Sequence, residues 1–318
     1  MSDLLAPSPA PLLPCPALEG ITRLPHLGVI RVAGDDAVSF LQGQLTNDFA
    51  LLRPEQARLA GFLSAKGRMQ ASFVGLVRVP GEVLLVCSRD LLETVRKRLS
   101  MFVLRAKARL TDASEEIAVY GVAGDTVEQL AGHALPAWAR QDVGNAQMVG
   151  LPPAAGQARA LWLAPAADAS PAGPALSASL WSWGEVASGV ATLTTPVVDA
   201  FVPQMLNYES VGGVNFKKGC YPGQEIVARS QFRGTLKRRA YLVQAEVPLA
   251  VGAEVFHGAD PEQSCGTVVQ AAPAPDGGWT AIVSMQTSAT DGGRLTAVAA
   301  DGPLLELRSL PYPLLDDI

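Results

Sequence analysis

One stretch of the chain concentrates side chains that can do chemistry. Lys217-Lys218-Gly219-Cys220-Tyr221-Pro222-Gly223-Gln224-Glu225 sets a thiol between two lysines and a tight turn. Proline presets φ at the first central position of a type II turn and glycine accepts positive φ at the second, so Pro222-Gly223 is expected to form one. No Gly or Pro interrupts residues 225–232, Glu225 suits the first turn of a helix, and Arg229 and Arg233 are spaced one turn apart. A helix is therefore expected to leave the turn directly. A thiol near a helix N-terminus with Lys218 and Arg229 beside it has its thiolate favoured, which makes Cys220 a candidate nucleophilic or redox-active group with Lys218 as its partner. The other reading of Cys220 is a small buried filler, because free cysteine is among the most buried residue types.

The remaining soft ligands are dispersed. Cys15, Cys87 and Cys265 stand far from Cys220 and from each other, without a C-x-x-C pair. Neither a disulfide framework nor a cysteine-held metal or iron-sulfur cluster is expected. His26, His133 and His257 are isolated as well, which gives no support to a metal site or to a Ser-His-Asp hydrolase. The net charge of −5 argues against a general nucleic-acid binder, so direct nucleic-acid binding is not expected. Locally the balance reverses: seven basic residues lie between Lys217 and Arg239, opposed by Glu225 alone. Such an island is either a solvated face or a device that focuses field on an anionic ligand.

These residues need a scaffold, and 318 residues suggest two or three domains. No apolar run approaches the roughly 18 residues of a spanning helix. Residues 1–16 lack Lys and Arg, unlike the charged start of a secretory signal, so a flexible tail over 1–18 and cytoplasmic residence are the expectations. Gly28 to Val32 reads as a strand, and Asp35-Asp36 as the cap of a helix carrying Val38, Leu41 and Leu45 at helical spacing. Ala57 to Leu63, Met69 to Val79 and Val83 to Cys87 read as an antiparallel meander. Asp90 to Met101 sets Leu91, Leu92, Val95 and Leu99 on one helical face, and Lys107 to Leu110 and Ile117 to Val122 add strands without a βαβ rhythm. The fold class is accordingly α+β, with antiparallel sheets and flanking helices.

Pro152 to Ala175 is rich in Ala, Gly and Pro and reads as loops around one strand, Ala160 to Leu163. A helix over Leu176 to Val190 follows, with Leu176, Leu180, Trp183 and Val190 on its packing stripe. Trp181 lies off that stripe and is either core or a flat surface for an aromatic ligand. Beyond Arg239, six short β-prone runs from Tyr241 to Leu307, divided by Gly, Pro and Asp-Gly turns, predict a small six-stranded β-barrel. The expected divisions are 1–18 as tail, 19–239 as a region divisible into two subdomains, and 240–318 as the barrel domain.

Three segments, in order, carry a resemblance: Leu41-Gln42-Gly43-Gln44-Leu45-Thr46-Asn47-Asp48, Ser64-Ala65-Lys66-Gly67-Arg68, and Lys217 to Glu225 with Ile226-Val227-Ala228-Arg229 and Phe232-Arg233-Gly234. Together they resemble the folate-binding YgfZ family, relatives of the glycine-cleavage T-protein, a tetrahydrofolate-dependent aminomethyltransferase. The similarity runs over residues 22–240. It implies an aminomethyltransferase-like folate-binding fold and tetrahydrofolate or another reduced folate as ligand. It also implies an accessory role in assembly or repair of iron-sulfur clusters, with enzymes that modify tRNA among the clients and iron-sulfur enzymes or their assembly machinery as partners.

The resemblance extends to site residues. A tryptophan ahead of an Ile/Val-x-x-Gly element, here Val186-Ala187-Ser188-Gly189, points to Trp181 as the stacking residue. Gln44 and Asn47 are either ordinary helix-ending residues or polar groups for a pterin edge, Arg68 and Gln224 are further cofactor-binding candidates, and Lys218 and Arg229 are expected to face the glutamate carboxylates. One departure bears on chemistry. Where the T-protein's Gly-Gly-x-x-Asp-Asp segment supplies a carboxylate, this chain has Gln70 and Ala71, so conventional aminomethyl transfer is not expected. The T-protein's mid-chain pterin-holding glutamate has no equivalent placed in the sequence. Two alternatives stay open: a one-carbon transferase with Asp48 or Glu225 as base, and an RNA-contacting module using the basic island and Phe232.

Overall fold

The computed structural model describes residues 18–232 and 236–315. Cys15, Arg233, Gly234 and all but the last residue of the expected tail lie outside them. That last residue, Leu18, is fully buried and belongs to the core rather than to a tail.

The chain begins with β1 (Gly20–Arg23), β2 (Leu27–Ala33) and the short α1 (Ala37–Gln42). A meander follows, β3 (Ala57–Leu63), β4 (Met69–Val79) and β5 (Glu82–Ser88), and then α2 (Arg89–Ser100), β6 (Arg109–Asp112), β7 (Ile117–Ala123) and α3 (Asp125–Ala131). Next come β8 (Arg140–Val143), β9 (Ala146–Ala154), β10 (Gln157–Pro165), α4 (Ala178–Ala187) and α5 (Gln224–Phe232). The last six strands are β11 (Arg238–Ala245), β12 (Glu254–His257), β13 (Asp260–Pro273), β14 (Trp279–Gln286), β15 (Leu295–Ala297) and β16 (Leu304–Arg308).

Three sheets result, all antiparallel. One runs β3-β4-β5-β2-β6, a second β1-β7-β10-β9-β8, and the third closes as a barrel in the order β11-β14-β13-β12-β15-β16. The α+β class and the six-stranded barrel are as the residue pattern predicts. α2 covers the first sheet with the stripe that its spacing indicates: Leu91, Leu92, Val95 and Leu99 are all buried.

Local differences have local causes. α1 ends at Gln42, before Leu45, and Asp36 does not cap it through its side chain. Asp36 Oδ2 instead accepts from the Lys107 amide at 2.7 Å, fastening α1 to the approach to β6. The strand expected at Ala160 to Leu163 is the centre of the longer β10, and the residues from Pro152 read as loops before it belong in part to β9 and to the start of β10. Pro152 and Pro153 have no N–H for a ladder, and the β9–β10 register shifts between Gln157 and Arg159, so a bulge beside the prolines absorbs the missing bonds. α4 is shorter than its apolar run and starts where Ser177 Oγ accepts from the Leu180 amide at 3.2 Å. Among the described residues no helix is long and apolar enough to cross a membrane.

Candidate functional site

The three segments singled out in the sequence meet in space. Carbonyls at the end of α1 have no partners within the helix. Lys218 Nζ satisfies two carbonyls of this stretch, donating to Gln42 O at 2.5 Å and Leu45 O at 2.6 Å. Thr46 Oγ1 donates to Gly213 O and Asn47 Nδ2 to Gly212 O, each at 2.6 Å, which stitches the 41–48 segment to the loop that carries Lys218. The third segment closes the group. A Cβ added at Gly223 would fall 2.7 Å from Gly67 Cα, so these turns touch backbone to backbone. Gly223 has φ of 78°, as the type II turn demands, and α5 leaves it at Gln224 with Glu225 in the first turn.

Cys220 sits exposed on this turn, whereas Cys87 and Cys265 are buried, which excludes the filler reading of Cys220. Burial pushes the Cys87 thiol up to about 12 and raises Cys265 as well, so neither supplies a thiolate near neutral pH. The cations expected to flank Cys220 are otherwise engaged. Lys218 is buried, its ammonium held by the two carbonyls and 4.7 Å from the Tyr221 ring centre. Desolvation brings it down to about 8 against the opposing pull of Asp48 and Cys220. Arg229 pairs with Glu225 at 2.8 Å on the outside of α5.

A cleft of about 570 Å³ opens between the first two sheets beside α4. Trp138, Arg159, Glu185 and Ser188 line it together with apolar strand residues. A neighbouring recess of about 610 Å³ shares Leu59 and Trp138 with the cleft and adds Asn47, Arg58 and Asn215. Glu185 Oε1 lies 3.1 Å from His26 Nε2. Burial disfavours the charged ring of His26, but the hydrogen bond and charge of Glu185 outweigh it and raise the pKa above 6.5. Arg159 is fully buried, and desolvation lowers it to about 10 against the pull of Glu185, so it stays a cation at neutral pH.

Trp181 does not line this cleft. It is 0% exposed, its ring lies 4.9 Å under the Arg159 guanidinium, and the space beside it is available only because residue 121 is glycine. The sequence stripe misassigned it because α4 is packed on more than one face, with Trp181, Trp183 and Val186 all buried. Trp138, half-buried, is the tryptophan on the cleft. Nothing in its sequence context marks it: it lies in a turn, at φ 66°, with its indole N–H donating to Val211 O at 3.2 Å. Glu185 and Arg159, which also line the cleft, were not singled out in the sequence either.

The other expected site residues divide. Asn47 lies at the recess, but its amide is committed to Gly212 O, Leu59 O and the Asp48 N–H. Gln44 keeps a buried Oε1 without a partner among the described residues. Arg68 Nη1 donates to Ala200 O at 2.6 Å, and Gln224 opens α5; neither lines the cleft. Gln70, in the place of the missing carboxylate, donates to both oxygens of Asp199, at 3.2 and 3.1 Å.

A tRNA-modifying protein YgfZ from Edwardsiella ictaluri is 30% identical over 296 residues, covering 85% of this chain and 87% of that protein. The chain belongs to the YgfZ family. The protein of the same name from Serratia proteamaculans is 29% identical over 314 residues, 93% of each chain. No protein-family model matches the chain. Among solved structures, the glycine cleavage system aminomethyltransferase T from Bartonella henselae superposes with a TM-score of 0.65 at 16% identity, over 95% of this chain and 88% of that one. The fold of this YgfZ-family chain is therefore the aminomethyltransferase fold.

Proposed function

We propose that this YgfZ-family chain binds tetrahydrofolate, or another reduced folate, in the cleft beside α4 and serves as an accessory protein for iron-sulfur enzymes, including ones that modify tRNA. The observation that carries the reading is the pairing of Trp138 and Glu185 on one cleft within an aminomethyltransferase fold. A pterin is flat and presents adjacent N–H donors along one edge. An indole offers it a face, and a carboxylate accepts two parallel hydrogen bonds from it. Arg159 adds a buried cation to the same wall. The relatives' name, tRNA-modifying protein, supports the client class.

Conventional aminomethyl transfer has weaker support. Gln70 and Ala71 are not carboxylates, Asp48 accepts from the Leu51 amide, and Glu225 is paired with Arg229. Cys220 is the group offered outward, in keeping with a thiol that acts on or docks to a partner. The test is restoration of iron-sulfur enzyme activity in cells lacking the protein. The wild-type chain is expected to restore it, whereas Cys220→Ser and Glu185→Gln, expressed to equal levels, are expected to fail. Full restoration by both variants would overturn the reading.

A further inference from the structure

We propose that the cleft between α5 and the barrel is a binding groove for a single-stranded segment of RNA. The groove is open to solvent and spans about 1360 Å³ with that open space included, more than twice the span of the cleft beside α4 on the same measure. Its lining brings together Arg229 of α5 with Lys237 and Arg238 at the start of β11, and none of its described residues is a carboxylate. In a chain of net charge −5 this is a local reversal, set where helix and barrel diverge. Glu225 meets Arg229 in an exposed pair, and such pairs are weak enough to yield to a phosphate, while Asp260 and Asp291 line an adjoining recess that shares Gln286 and Ser288 with the groove and so bound the cationic track on that side.

Charge alone would suit any anion; the rest of the lining narrows the class. Ser230, Thr287 and Ser288 place hydroxyls among the cations, groups that donate to phosphate oxygens and also exchange hydrogen bonds with a ribose 2′-OH. Outside that lining, at the end of α5 and three residues on from Arg229, Phe232 is 57% exposed yet braced edge-on by Phe216, with ring centres 5.5 Å apart. An exposed aromatic beside a cationic track is the combination that holds unpaired bases by stacking while the cations follow the backbone. Duplex RNA hides its base faces and cannot use it.

The inference is independent of the folate reading, because the groove shares no lining residue with the cleft beside α4. The test is fluorescence anisotropy of a labelled single-stranded oligoribonucleotide of about 12 nucleotides, the length of a few OB-type site sizes or fewer. With three cations on the strand, log affinity is expected to fall with log salt at a slope of about −2, so that raising salt from about 50 to about 200 mM weakens binding about 20-fold. Lys237→Gln/Arg238→Gln is expected to bring the slope to about −0.7. Arg98→Gln/Arg105→Gln, which removes two exposed cations elsewhere, is expected to leave it unchanged. If the first double variant fails to fold, Arg229→Gln, on the exposed face of α5, reads the same groove with a slope loss of about 0.7. Tetrahydrofolate binding by Lys237→Gln/Arg238→Gln is expected to equal that of the wild type. The proposal is overturned by absent RNA binding, by equal losses in the groove and control variants, by a DNA strand of the same sequence binding as tightly, or by poly-γ-glutamate displacing the RNA at equal charge.

Discussion

His26 and Glu185 couple the cleft to pH. The raised His26 pKa means that the folded state holds its proton more tightly than the unfolded chain does. The pair's contribution to stability is therefore fully present below 6.5 and is lost as pH rises through the raised value. A charged His26 also competes with a ligand for Glu185. Affinity for tetrahydrofolate is accordingly expected to increase as pH rises through and just above 6.5, and His26→Gln is expected to flatten that dependence, which titrations across this range will measure. At this scale the sequence was legible where chemistry is local. The turn, the start of α5 and the exposure of Cys220 follow from residues adjacent in the chain. Lys218 was readable as a cation but not as a buried one, since its partners at Gln42 and Leu45 are more than 170 residues away in sequence.

α4 shows what an element requires of its neighbours. Trp181 fills the space left by the missing side chain at Gly121 on β7, where an added Cβ would lie 2.6 Å from the indole ring. An indole cannot yield as the end of a flexible side chain can. Gly121→Ala is therefore expected to cost about 1–3 kcal/mol by overpacking, and Trp181→Ala about 3–5 kcal/mol by leaving a cavity under Arg159. Chemical denaturation measures both. If Trp181→Ala left stability intact and abolished only folate affinity, its assignment to the core would fail. Strands with apolar alternation, such as β3, β4 and β7, could be read directly. β9 could not, and β10 only at its centre, Ala160 to Leu163, because Ala, Gly and Pro carry little periodic signal and the ladder that holds them is set by pairing with β7 and β8. Trp138 was invisible for a related reason: which cleft a turn residue lines is set by the sheets on either side.

For the molecule as a whole, the barrel is fastened to the rest by polar groups that water does not reach. Arg239 on β11 donates to Glu209 and to Leu315 O, each at 2.5 Å, and Asn207 exchanges hydrogen bonds with both backbone groups of Ala240. Burial lifts the Glu209 carboxyl above its usual range despite Arg239. Removing one partner strands a buried charge. Arg239→Met is thus expected to destabilise by about 3–5 kcal/mol, with most of the loss recovered in Arg239→Met/Glu209→Leu. Equal stability of the single and double variants would show that the pair does not act as a unit. Six β-prone runs announced the barrel, but nothing in them disclosed its seam with residues 207–209 or the groove beside α5, because both arise between elements distant in sequence.

The central claim, a reduced folate held against Trp138 and Glu185, is tested most directly by titrating the protein anaerobically with tetrahydrofolate while following tryptophan fluorescence. Saturable quenching is expected, reduced in amplitude in Trp138→Phe and weakened at least tenfold in Glu185→Gln, a loss of about 1.4 kcal/mol or more. No binding at about millimolar tetrahydrofolate, where the free energy would be only about −4 kcal/mol, or equal affinity in Glu185→Gln, would contradict it.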